Sequence, residues 1–316
     1  MDTTARHKFL DRIATFRNAL DSEIVISEGL AETDHNKRAR ILRNGLAIIG
    51  YTILEDFLKT RTGEVLNQVG SVGNENIPFE RLPQALKDAS IFDALQGLAA
   101  YIKTNKKDIE NPISFVQEQT NKIASTQSNS YELSPFSMGW TQANVTQENI
   151  RDSLVTFGID GGWNAIQQVT SLAGVTLLAP QESFKNAYLR RNKAAHDADA
   201  DSPYDDLLNY IKEATAIAFS FDALITKSLY FVSQQDEGYL QNNKNYIKAG
   251  NLKIRFIIYN NGQWKRFDIL QGEAINSSSD YQELVSSFRT RQTGKDEIII
   301  IKNERNDIID WELYSL

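Results

Sequence analysis

The chain contains no cysteine, three histidines and two methionines in 316 residues. Without thiols there are no disulfides, no thiolate metal sites and no cysteine nucleophile. A long apolar run is also missing, since nothing approaches the roughly 18 residues that a membrane span needs. The start at Met1, Asp2 and Thr3 lacks the basic-then-apolar form of a secretion signal, so the expectation is a cytoplasmic protein without membrane contact. Positive charge is in deficit: 34 Lys and Arg stand against 41 Asp and Glu, a net charge of −7. Such a balance argues against indiscriminate nucleic-acid binding, which needs clustered cations, and leaves room for a local basic cleft. Gly70 and Gly73 are not followed by the Lys-Ser/Thr of a phosphate loop and read as a turn.

What is present is enough apolar material for a large core, at 41% hydrophobic and 10% aromatic residues. Phe9, Ile13, Phe16, Leu20 and Ile24 fall on one helical stripe, and Leu42, Leu46, Ile49, Ile53 and Phe57 on another. A third helix is expected from about Pro83 to Lys103, carrying Ile91, Leu95, Leu98 and Ile102. Thr146 and Gly158 bracket a further helix as cap and stop, and Trp163, Ile166, Val169 and Leu172 mark the next. A long apolar helix is expected from 203 to about 234.

Just before it stands the stretch with the most chemistry, Arg190-Arg191-Asn192-Lys193-Ala194-Ala195-His196. Pro180 suits the first position of its helix, and Ser202 and Pro203 suit the start of the next, so His196 should lie at a helix–helix junction. Five positions separate Arg191 from His196, about 140° around a helix, which lets both line one groove without stacking. Asn192, one turn before His196, is placed to hold the imidazole in one tautomer. His7 and His35 have no ligand-like neighbours. Asp197, Asp199 and Asp201 imitate the opening of a calcium loop, but Ser202 and Leu208 occupy its Gly and Glu positions. No metal and no cofactor are expected.

The order Arg191, Asn192, three residues, His196, late in an all-helical region and followed by a long helix, resembles the signature of the HEPN superfamily. Leu54-Glu55-Asp56-Phe57 is similar to its second-helix segment. The stretch from Asn144 to Ile150, with Phe157, Gly158, Ile159 and Trp163, is similar to the RiboL-PSP-associated branch. The resemblance covers about residues 1–235. It implies an all-α bundle and a metal-independent endoribonuclease of toxin or antiviral-defence type. In that reading Arg191, Asn192 and His196 are catalytic, Arg190, Lys193 and Tyr188 serve substrate binding, and Glu55 gives acidic support. Its implied partners are an RNA substrate, a second copy forming a homodimer, and an antitoxin or other regulatory protein. The alternative is a non-catalytic HEPN-like module that binds RNA, nucleotide or a protein partner.

From Tyr246 the period changes to strand, with the domain boundary expected at Gln234-Gln-Asp-Glu-Gly. Leu252 to Tyr259, the Asn261-Gly262 turn, Gln263 to Leu270, a helix from Asp280 to Arg291, and the pair Glu297–Lys302 and Ile308–Tyr314 read as a ββαββ module. The fold expected is therefore mainly α, a helical bundle over 1–235 and a small α+β domain over 236–316. Residues 239–267 hold six cations and no acid, interleaved with Tyr246, Phe256, Tyr259, Trp264 and Phe267. They form either an RNA-stacking face or one hairpin's core and rim.

Overall fold

Apolar residues at helical spacing build a bundle around two long helices. The computed structural model describes residues 3–70, 77–138, 144–197, 199–291 and 296–314. Helix α1 (Thr4–Leu20) packs on α2 (Asp34–Val69), which at 36 residues runs about 54 Å. Thr33 caps α2 by accepting from the Asn36 amide. Then come α3 (Gln84–Asp88), a π-turn over Ala89–Asp93, α4 (Ala94–Asn105) and α5 (Pro112–Ser125). After them follow α6 (Gln147–Thr156), α7 (Trp163–Leu172), α8 (Pro180–His196) and α9 (Tyr204–Ser233). From Ala214 to Leu229 helix α9 is buried on all sides, because neighbouring helices and a strand of the terminal module surround it. By length and composition it could cross a membrane, but 89% of its apolar window is buried in the fold, as befits a core helix.

Three expected stripes shift, each for a physical reason. Helix α1 ends at Asp21, so Ile24 turns outward and Val25 inward. In α2 Leu42 and Ile49 are exposed while Arg43, Asn44, Ala47 and Gly50 are buried, because Arg43 and Asn44 bond loop carbonyls there. The π-turn inserts one residue, which rotates α4 by about 100° and leaves Leu95 exposed while Ala94, Gly97 and Leu98 pack. Gly50 admits α1 and α9 to contact with α2: a Cβ there would meet Phe16 at 3.0 Å and Tyr210 at 3.3 Å. The Gly158 stop is real, with φ +78° and no room for a Cβ beside the Asn243 carbonyl.

After the short helix α10 (Glu237–Gln241) come strands β1 (Lys253–Asn260), β2 (Gln263–Phe267) and β3 (Asn276–Ser278). Helix α11 (Tyr281–Arg291) and strands β4 (Glu297–Lys302) and β5 (Ile308–Glu312) complete the chain. The sheet order is β3-β2-β1-β4-β5, with β1 and β4 parallel and the other neighbours antiparallel. The ββαββ reading is thus borne out, with β3 added as a short edge strand.

The expected boundary at residue 235 precedes the first strand at Lys253, and the hydrophobic core runs across both. Alternation in β4 places Ile298 and Ile300 in the bundle's core, and β5 adds Trp311 opposite Ile300 and, across a bulge, Ile308 opposite Lys302, while α11 covers Ile257, Ile299 and Ile301 on the other face. Trp311 is fully buried among Phe9, Phe57 and Phe219, with ring centroids about 6 Å apart. Its indole donates to Asp222 Oδ2 at 2.8 Å, and Asp222 Oδ1 accepts from Arg61 Nε at 2.5 Å. The guanidinium of Arg6 donates to the Trp311 carbonyl and to Glu312. Lys302, fully buried on β4, donates to the Ala173 carbonyl at 2.7 Å at the end of α7.

Candidate active site

Helix α8 is held by a thin seam, since only Pro180, Phe184 and Ala187 are fully buried. Phe184 and Tyr188 pack against Tyr51 of α2 with tilted rings, at 5.5 and 5.9 Å between ring centroids. Beyond Tyr188 the helix turns polar and ends at His196, and the Asp197 amide closes it on the Lys193 carbonyl. Lys193 and His196 fall in the last turn, where cations complement the helix dipole.

Arg191 is half-buried and His196 is exposed. Arg191 Nη1 donates to Asn192 Oδ1 at 3.0 Å, and among the described residues nothing accepts a hydrogen bond from the buried Arg191 Nε. This corrects the expected part of Asn192: its amide oxygen steadies the arginine, and no hydrogen bond joins it to His196 among the described residues. Tyr188 lines the α2 side as a ring neighbour of Tyr51. Arg190 and Lys193 point the other way, into a groove of about 440 Å³ between α8 and α9 where Arg190 donates to Asp206 at 2.7 Å. Sequence reading grouped Arg190 and Lys193 with Arg191, and the helix separates them onto another face.

Glu55 is buried beneath the site. It accepts from the Val145 amide at 2.6 Å and from Lys59 at 3.1 Å, so it anchors the entry to α6 rather than forming a direct ion pair with Arg191 or His196. The Tyr51 hydroxyl donates to the Val145 carbonyl. Burial pushes that phenol far above its ordinary pKa, with Glu55 adding and the positive charge of Arg191 opposing, so the phenol stays a neutral donor. Tyr210 is shifted the same way by burial and donates to the Gly50 carbonyl at 3.2 Å.

Two residues missed in the sequence position the motif's far side. Buried Arg43 donates to the Ser202 carbonyl at 2.9 Å and to Asp201 at 2.7 Å, and buried Asn44 donates to the Ala200 carbonyl at 2.7 Å. They tie the α8–α9 junction to α2. Their signal was visible as an Arg-Asn pair inside the apolar run from Ile41 to Ile49. Asp201 is thereby drawn to Arg43 rather than left to act on His196, and Asp197 closes a turn on the Asp199 amide. Helix α9 begins one residue later than expected, with Pro203 as its cap. Among the described residues no group of three or more His, Asp or Glu converges to hold a metal ion.

Two of the six cations on the hairpin face of the terminal module pair with acids at the entry to β4. Lys253 pairs with Asp296 at 2.7 Å and Arg255 with Glu297 at 2.6 Å, while Phe256 lies in the core and Tyr246 packs against Phe231 and Tyr239. Phe256 and Tyr246 thus serve packing.

An all-α bundle with an Arg-x4-His motif closing its penultimate long helix defines a HEPN-type domain. The family model described as RiboL-PSP-HEPN matches residues 8–227, and the chain belongs to that family. No curated protein and no solved structure matches the chain.

Proposed function

We propose that this HEPN protein is a metal-independent endoribonuclease of the toxin or antiviral-defence kind, acting on RNA in the cytoplasm as a homodimer. The observation that carries the reading is one helix end that carries both an exposed imidazole and a half-buried guanidinium whose Nε has no acceptor among the described residues. In the reaction the ribose 2′-oxygen attacks the adjacent phosphorus while an imidazole removes its proton. The bond from phosphorus to the 5′-oxygen breaks, and that oxygen takes a proton from an imidazolium. The products are a 2′,3′-cyclic phosphate and a 5′-hydroxyl. Arg191 clamps the charge that gathers on the non-bridging oxygens, a task for which a planar, permanently charged fork is suited.

One imidazole does not serve as base and acid at the same moment, so a second copy completes the site. Support comes from α2, where Ile41, Gly45 and Ile49 recur every fourth residue as an exposed stripe beside the face that packs on α8. Sedimentation that shows only monomer at micromolar concentration would remove the composite site.

The decisive experiment compares wild type with His196→Ala on total RNA and tRNA in EDTA, with the product ends mapped. Cyclic phosphate ends are expected from wild type, and a rate lower by about 10²–10⁴-fold from the variant. Because His196 is exposed, stability should move by less than about 0.5 kcal/mol. Equal cleavage by both proteins, or none by either, favours the second reading, a HEPN module that binds RNA, nucleotide or protein without cutting. Within that reading the chain's net charge of −7 speaks for a protein partner over a nucleic acid.

A further inference from the structure

We infer that the groove between α8 and α9 is a guanine-reading subsite beside the cleft, an inference that rests on the ribonuclease reading above. The groove's volume, about 440 Å³, lies within the range of small-molecule sites, roughly 300–1,000 Å³. Its α9 wall carries Asp206, Asn209 and Glu213, whose offsets of three and seven put them on one stripe. Its α8 wall carries Asn186, Leu189 and Lys193, and the same helical face continues three residues on to His196. A nucleotide next to the scissile phosphate therefore has this groove within reach of its base.

Asp206 is paired with Arg190 at 2.7 Å and Asp201 with Arg43 at 2.7 Å, so Glu213 is the groove carboxylate without a salt bridge among the described residues. What the walls offer in surplus is hydrogen-bond acceptors. Ser183 donates to Glu213 Oε1 at 3.0 Å, which fixes the carboxylate, and among the described residues nothing donates to its Oε2. Burial holds this carboxyl above its ordinary pKa, with Ser183 and Arg190 opposing, as for a group short of donors.

Of the four RNA bases only guanine shows two adjacent N–H donors, N1–H and the 2-amino group, on its Watson–Crick edge. A carboxylate accepts both. Adenine and cytosine set one amino donor beside an acceptor, and uracil sets one donor between two acceptors. Leu189 is 51% exposed and the Arg190 guanidinium is planar, so both give the groove surface against which a base can lie.

The test uses guanosine 5′-monophosphate and adenosine 5′-monophosphate as probes in NMR titrations of the full chain, together with cleavage-site mapping. Wild type and His196→Ala should bind the guanosine probe at least tenfold more tightly than the adenosine probe. Glu213→Gln, which sets an N–H against guanine's own donors, should lose that preference. Asn209→Ala, on the exposed rim, should weaken it and serves where Glu213→Gln does not fold. Cleavage sites of wild type should carry guanine at one fixed offset, and the bias should fade in either groove variant. Equal affinity for both probes, or a preference untouched by both variants, overturns the subsite. Cleavage that depends on His196 without guanine bias overturns it as well and leaves the ribonuclease standing. A Glu213-dependent guanosine preference without any RNA cleavage keeps the groove as a guanine site and removes the ribonuclease.

Discussion

Two arginines of this chain sit about as differently as arginines can. Arg61 is completely buried where α2, α9 and β5 meet, bonded to Asp222 at 2.5 Å and to Thr226 at 2.8 Å. Arg191 is half-buried at the end of α8, with one donor on a neighbouring amide and its Nε unclaimed among the described residues. A buried charge is tolerated only when partners replace its lost hydration, so the structural cation is saturated by the protein. The other leaves a buried Nε without an acceptor among the described residues. Degree of satisfaction, more than burial, separates the scaffold cation from the one proposed to meet substrate.

The largest expected effect is on the scaffold side. Asp222→Ala takes from the Arg61 guanidinium its buried carboxylate and from the Trp311 indole its acceptor, and should cost about 3–5 kcal/mol of stability. Urea unfolding monitored by circular dichroism and by Trp fluorescence reads it, and a loss under 1 kcal/mol would mean that the pair is replaceable. Next comes the working side. Arg191→Ala should lower RNA cleavage by about 10²–10³-fold, as for loss of one charge-stabilising donor, with little change in the thermal midpoint. A large fall in stability instead would make Arg191 a second scaffold cation and erase the contrast.

The smallest effect concerns Lys302, which sits between the two extremes. Burial lowers its pKa to about 8, with Asp307 opposing. The unfolded chain holds that proton to about pH 10.4, so between pH 8 and 10 the unfolded state binds more protons and stability rises with pH. Comparing wild type with Lys302→Met from pH 7.5 to 9 should show wild type gaining roughly 1 kcal/mol relative to the variant. Parallel curves would mean that the ammonium is as well hydrated in the fold as outside it.

Much of the molecule was legible in the order of residues. Helical spacing placed Phe9, Ile13, Phe16, Leu20, Ile53 and Phe57 in the core, and the turn at Asn261-Gly262 placed the first hairpin. Tracking apolar residues failed where polar ones chose the buried face: Arg43 and Asn44 rotate α2 toward carbonyls some 160 residues away, and Leu42 and Ile49 face outward. Of the expected site, the chain order put Arg191, Asn192 and His196 on one helix end, but it did not reveal that Asn192 holds Arg191. Nor did it reveal that Glu55 serves the α6 entry, or that Arg190 and Lys193 turn into a separate groove.

By itself, the sequence determined which segments are helix or strand and where the Arg-x4-His motif falls, because periodicity and caps are local and act through neighbours within a turn or two. Only the tertiary structure decided that the last strands complete the bundle's core. Trp311, Asp222, Arg61 and Arg6 meet across as many as 305 positions of chain, and that meeting is set by which buried polar groups find partners once the layers close.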